Sequence, residues 1–181
     1  FKGAVFYFDQ SPVSGERQFV VNIVLKLIER QRQGFFFDDN PASIVNKKEY
    51  GGGSLMDIGC YPISLSRYLF NSEPLSVSAK IEYHKELGVD ILTSSVMQFD
   101  SGHSSFFCST ILEENQKVEI FGTNGIITVP VPFNPDNKKP SKLFIQRKNN
   151  KSEIEFEICD QYNIQVDQFS VNILNDEIPK I

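Results

Sequence analysis

Three observations predict an α+β fold, a mainly antiparallel open sheet with helices packed on one face. Residues 76–84 alternate Val77, Ala79, Ile81 and Tyr83 with polar neighbours, the period-two pattern of a strand with one buried face. The turn signals Asp100-Ser101-Gly102 and Asn124-Gly125 separate strand-like runs and join them as antiparallel neighbours, with Asn-Gly expected to supply the positive φ of a tight turn. Leu55, Ile58, Pro62, Leu65 and Leu69 recur at helical steps and form one stripe facing a core. Helices gathered on one side of such a sheet give the α+β sandwich.

In chain order, residues 5–8 read as a short strand and Ser11-Pro12-Val13-Ser14-Gly15 as a breaker. Residues 16–30 read as a helix that is apolar nearly all round between Phe19 and Ile28, hence buried, with an absent domain or a twin subunit as one way to cover its second face. It is shorter than the roughly 20 apolar residues that a bilayer span needs. Residues 33–37 are expected to form a strand, ended by a turn at Asp38-Asp39-Asn40-Pro41.

Beyond the central helix, strands are predicted over 91–99, 104–112, 117–121 and 126–129, then a loop punctuated by Pro130, Pro132, Pro135 and Pro140. A last hairpin, 143–148 with 153–158, turns at Asn149-Asn150, with Ile154, Phe156 and Ile158 on its dry face. Tyr162, Val166, Phe169 and Ile173 mark a closing helix. Thr93, Ser95 and the pair Phe106 and Phe107 are assigned to the outer face of the sheet, which they make mixed rather than plainly apolar.

A chain of 181 residues suffices for one domain with a proper core, and one domain over 1–181 is the expectation. A net charge of −5 and a pI near 5.1 argue against nucleic acid or an anionic membrane as partner, since both require a basic face. Cys60, Cys108 and Cys159 have neither disulfide-framework nor zinc spacing, so reduced core thiols in a cytoplasmic protein are expected. With His84 and His103 the only histidines, no metal site is expected.

The chemistry concentrates in Gly51-Gly52-Gly53-Ser54-Leu55-Met56-Asp57-Ile58-Gly59-Cys60-Tyr61-Pro62-Ile63. Glycines permit a tight bend or a close approach to a ligand, and Ser54 is a candidate N-cap that would accept from the first helical turn. Asp57 and Tyr61, four apart, project side by side next to the apolar stripe. Pro62 has no N–H for the carbonyl of Ile58, so the first turns should be kinked or irregular. The pair also has a plain structural reading, Asp57 balancing the helix start and Tyr61 packing its ring with its hydroxyl in water.

The string GGGSLMDIGCYPISLSRYLF, with NPASI upstream, EP downstream, and Tyr162, Gln165 and Phe169 in a Y-x-x-Q-x-x-x-F tail, resembles the C-terminal domain of the glucose-fructose oxidoreductase, inositol dehydrogenase and MocA family over about residues 34–179. The resemblance implies an NAD(P)-dependent oxidoreductase of a sugar, polyol or diol. It implies that Asp57 orients substrate and that Tyr61, at the position of a His in many members, matches the glucose-fructose oxidoreductase and dihydrodiol or xylose dehydrogenase branches and relays a proton. Gly52 and Gly53 are then candidate substrate contacts, and pairing of the open sheet face into a homo-oligomer is expected.

The chain departs from the family at several points. Val45 stands where an Arg is common, the Glu-Lys-Pro whose Lys would lie beside the tyrosine is absent, and the family usually continues into one more helix. No G-x-G-x-x-G turn follows a strand, so NADP or NAD is expected of a full-length parent and not of this chain alone. The alternative expectation is a non-catalytic dimerisation or carbohydrate-binding module.

Overall fold

The computed structural model describes residues 19–26, as backbone, and 40–178. The strands expected at 5–8 and 33–37, the breaker at 11–15 and residues 179–181 lie outside them. Within the described residues one eight-stranded sheet runs in the order β2-β3-β4-β1-β5-β6-β7-β8. Its strands are β1 (Phe19–Lys26), β2 (Ser76–Tyr83), β3 (Asp90–Phe99), β4 (Gly102–Ser109), β5 (Asn115–Gly122), β6 (Gly125–Val129), β7 (Ser141–Arg147) and β8 (Asn150–Phe156). Two helices, α1 (Cys60–Phe70) and α2 (Gln161–Leu174), complete the α+β fold. The pairing of β1 with β4 is parallel, and the other pairings are antiparallel.

The segment expected as a buried helix is, over its described part, strand β1. Val20, Val21, Ile23 and Val24 are β-branched and favour extended backbone. A short continuous apolar run is consistent with a strand as well as with a buried helix, and periodicity alone does not separate the two. Its register places Ile23 opposite both Phe106 of β4 and Val118 of β5. β4 and β5, consecutive in the chain and expected as antiparallel neighbours, are therefore not paired, because β1 lies between them.

The core lies between α1 and the middle of the sheet. Ile58 and Phe70 are buried against Met97, Phe99, Phe106, Cys108, Val118 and Ile120, with Leu55, Leu65 and Leu69 packed at the margin. The expected stripe thus faces the core, and Pro62 is fully buried within it. Phe70 stacks on Phe99 with ring centroids 4.1 Å apart and planes 2° from parallel. Ser66 Oγ donates 2.7 Å to the Pro62 carbonyl and shares a 2.7 Å hydrogen bond with Ser104 Oγ, which joins α1 to β4 through buried polar groups.

Thr93, Ser95 and Phe106, expected on the outer face, are buried on the helix-covered face. Successive strand residues point to opposite sides, so of the Phe106 and Phe107 pair only Phe107 faces outward. The edge strands also depart from expectation. β2 and β8 are exposed along both faces except for half-buried Ile81 and Phe156, since α1 covers the centre of the sheet and not its margins. Of Asn124 and Gly125 only the glycine takes positive φ, and a Cβ there would lie 2.5 Å from the Gln146 carbonyl. The last hairpin turns at Lys148 and Asn149, one residue earlier than expected, with Lys148 at φ 51°.

The closing helix forms where predicted, capped by Asp160, whose carboxylate accepts from Tyr162 N and Asn163 N at 3.0 and 3.1 Å. Its apolar residues Tyr162, Val166, Phe169 and Ile173 are all exposed. Cys60 and Cys159 are exposed free thiols, so of the three cysteines expected in the core only Cys108 is there.

Candidate substrate site

The glycine stretch is shaped by the chain's own atoms. Gly51, at φ 71°, ends a short helical turn over Lys48–Tyr50. Gly52 N donates 2.9 Å to the Lys47 carbonyl and Gly53 N donates 2.8 Å to that of Val45. A Cβ on Gly52 would come within 2.5 Å of the Val45 carbonyl, and one on Gly53, at φ 109°, within 2.2 Å of Asp90 Oδ1. The close approaches that these two candidate substrate contacts permit are to the backbone at Val45 and the carboxylate of Asp90.

Asp90 organises the start of the helix. Its Oδ2 accepts from Ser54 Oγ at 2.5 Å and Thr93 Oγ1 at 2.9 Å, both buried, and from Leu55 N at 2.8 Å, partly buried. Ser54 therefore does not cap through its own oxygen as expected; it donates to Asp90, and the carboxylate takes the orphan N–H. A helix N-terminus behind glycines is a ready anion site, and here the chain's own carboxylate fills it. The described residues consequently do not fit a dinucleotide pyrophosphate at this position. Asp90 escaped the sequence reading because an aspartate at a strand start gives no signal of its distant partner.

The first helical residues wind as a π-helical turn, Leu55–Gly59, before α1 begins at Cys60. This is the irregularity expected upstream of Pro62, whose missing N–H frees the ladder to widen. Asp57 N donates 3.1 Å to the Gly53 carbonyl, so the carboxylate stands in the first turn, where the helix dipole favours it. Asp57 and Tyr61 are both exposed, Tyr61 at 42%, while Ile58 and Pro62 beside them are buried.

The Tyr61 ring meets Phe133 at 5.4 Å between centroids and 51° between planes. Phe133 belongs to the proline-rich loop and is held from two sides. Gln116 Oε1, at the start of β5, accepts from Phe133 N at 3.1 Å and Asn134 N at 3.4 Å. Gln161 Nε2, at the start of α2, donates 3.2 Å to the Phe133 carbonyl, and Tyr162 OH donates 3.2 Å to Asn134 Oδ1. Of these residues only Tyr162 was singled out from sequence, although a phenylalanine amid prolines was an available signal. A depression of about 430 Å³ between this loop and α2 is lined by Asp136, Asn137, Asp160 and Tyr162, and not by Asp57 or Tyr61.

Cys108 Sγ lies 3.9 Å from Ser54 Oγ beneath the helix start, and burial pushes its thiol from 9.0 up to about 11. It is inert core at neutral pH. Among the described residues no group of three His, Cys, Asp or Glu side chains is placed to share a metal ion, and no helix is long and apolar enough to cross a membrane.

The mainly antiparallel sheet with a glycine-led helix across its centre is a C-terminal-domain-like α+β fold. The chain belongs to the GFO/IDH/MocA C-terminal domain family, which its residues 26–128 match. It is 36% identical over 152 residues to an uncharacterized oxidoreductase of Rhizobium meliloti, covering 80% of this chain and 46% of that protein. Similarity to the trans-1,2-dihydrobenzene-1,2-diol dehydrogenase of Xenopus tropicalis is 37% over 110 residues, 60% of this chain and 32% of that one.

Among solved structures, the fold is similar to a 3-ketoreductase from Actinomadura kijaniata in complex with NADP and TDP-benzene, at TM-score 0.72 and 19% identity, over 92% of this chain and 48% of that one. An aldose-aldose oxidoreductase from Caulobacter crescentus complexed with glycerol gives TM-score 0.73 at 19% identity, with the same coverages of 92% and 48%. The chain spans about half the length of these solved relatives.

Proposed function

We propose that this domain is the substrate-binding part of a cytoplasmic NAD(P)-dependent oxidoreductase acting on a sugar, polyol or diol, with Asp57 orienting a substrate hydroxyl and Tyr61 relaying its proton. The observation that carries the reading is the placement of Asp57 and Tyr61. Asp57 is exposed on the π-helical turn and Tyr61 on the first turn of α1, while Ile58 and Pro62 beside them are buried, so the two polar groups are presented while the scaffold beneath them is fixed. A carboxylate accepts hydrogen bonds from a hydroxyl and sets its orientation, and a phenol within reach of that oxygen serves as general acid or base. Gly52 and Gly53 set the path of the backbone leading to that pair.

NADP or NAD supplies the redox chemistry in this reading and is held outside the described residues, since Asp90 fills the helix N-terminus that would otherwise receive an anion. The test is turnover of D-xylose and of trans-1,2-dihydrobenzene-1,2-diol with NADP by the full-length protein and by Tyr61→Phe. General acid–base catalysis contributes on the order of 100-fold or more, so a loss of that size is expected; unchanged turnover overturns the role of Tyr61.

A second reading, a non-catalytic dimerisation or carbohydrate-binding module, is favoured by the open sheet face, where Val96 is exposed and Phe107 half-buried among Ser94, Ser105 and Lys80. Pairing of that face would make the protein a homo-oligomer under either reading. Sedimentation of Phe107→Glu against the parent tests it: a shift to a slower species supports pairing there, and an unchanged profile refutes it.

A further inference from the structure

We propose that Phe133 is a positioning residue for the Tyr61 phenol, held by Gln116 and Gln161, so that the proline-rich loop tunes the proton relay without touching substrate. The inference rests on the proposed role of Tyr61 and adds the part of the fold that controls it. Tyr61 is on the first turn of α1, where the π-helical segment gives way to α-helix, and the residue is 42% exposed. Phe133 makes a lateral ring contact with this side chain at 5.4 Å and 51°, within the range of favourable aromatic pairs, and so biases its rotamer.

Phe133 is itself a fixed point. It packs against the core cluster through its side chain. Its N–H is taken by Gln116 from the sheet and its carbonyl by Gln161 from α2. Three elements distant in sequence thus converge on the ring beside Tyr61: β5, the loop and the start of α2. The loop is exposed at residues 136–140, beyond the point where Phe133 is held. The contact that it offers Tyr61 through Phe133 is a ring contact and acts on position, and a catalytic group displaced by about 1 Å loses up to about 100-fold in rate.

The test uses the full-length protein with NADP and D-xylose or trans-1,2-dihydrobenzene-1,2-diol, comparing Phe133→Leu, Phe133→Tyr, Gln116→Leu and Gln161→Leu, each also in the Tyr61→Phe background. Phe133→Leu should lower kcat about tenfold with KM changed less than about twofold, and Phe133→Tyr should recover most of the rate. In the Tyr61→Phe background the Phe133→Leu effect should vanish, because the two act as one unit. Ring-proton NMR shifts of labelled Tyr61 should move in Phe133→Leu and return in Phe133→Tyr.

If Tyr61→Phe itself leaves turnover intact, the underlying reading fails and this proposal with it. If Tyr61→Phe is inactive while Phe133→Leu keeps full kcat, or lowers kcat equally in both backgrounds, the positioning role alone is overturned. Should Phe133→Leu fail to fold, Gln116→Leu and Gln161→Leu decide: a kcat loss confined to the Tyr61 background supports the proposal, and unchanged kcat in both refutes it.

Discussion

Ser54 Oγ lies 2.5 Å from Asp90 Oδ2, and the same oxygen receives the N–H of Leu55. A residue at the start of β3 thereby caps a helix that begins more than thirty residues earlier. Removing the carboxylate leaves Ser54, Leu55 and Thr93 without their buried acceptor. Asp90→Ala should cost about 2–4 kcal/mol of stability, and Asp90→Asn about half as much, read by urea unfolding with unchanged m-value.

The three consecutive glycines should respond unequally to alanine. At Gly53 both the φ of 109° and the 2.2 Å clash with Asp90 Oδ1 oppose a Cβ, and at Gly52 the clash at 2.5 Å is with backbone that cannot turn aside. Each alanine there should cost more than about 2 kcal/mol. Gly51→Ala meets nothing within 4 Å and carries only the φ penalty, about 1 kcal/mol. Thermal melts of the three variants should rank accordingly, and equal losses would contradict this account.

The two site residues should separate kinetically. Asp57→Asn keeps an acceptor but loses charge, so it should chiefly raise KM, by about tenfold, whereas Tyr61→Phe should act on kcat. Parallel loss of kcat in both, at constant KM, would mean that Asp57 does more than orient substrate.

Cysteine labelling at pH 8 should modify Cys60 and Cys159 rapidly and Cys108 only on unfolding, since the two are exposed and the third is buried with its thiol raised to about 11. The raised value also gives stability a pH dependence. Below 9.0 the thiol is protonated in both states; between 9.0 and about 11 the unfolded chain loses its proton and the folded one keeps it. Stability should therefore fall as pH rises through that window, by on the order of 1–2 kcal/mol, and Cys108→Ala should remove that component.

Phe99 is fully buried and stacked on Phe70. Phe99→Ala opens a cavity under α1 and should cost about 3–5 kcal/mol in denaturant unfolding. A cost below about 1 kcal/mol would mean that α1 collapses onto the sheet, which the Ser66–Ser104 hydrogen bond opposes.

Most of the framework was legible because periodicity is a local property of the chain. The stripe from Leu55 to Leu69 follows from helical spacing, the irregular turn from the missing N–H of Pro62, and the hairpin between β3 and β4 from Asp100 to Gly102. Asp57 and Tyr61 could be named as candidates for the same reason, since they are four residues apart in one predicted helix.

What the sequence left open was decided by partners distant along the chain. The apolar run from Phe19 became strand because β4 and β5 offered hydrogen bonds on both its edges, a choice that its periodicity did not contain. The alternating β2 and β8 stayed exposed because α1 covers only the middle of the sheet. Ser54 lost its capping role to Asp90, and Tyr61 gained Phe133 as a neighbour, because packing brings together residues between which no local spacing rule operates. Local rules fix backbone state and which residues share a face; tertiary packing fixes which donor meets which acceptor, and on that the environment of the candidate site depends.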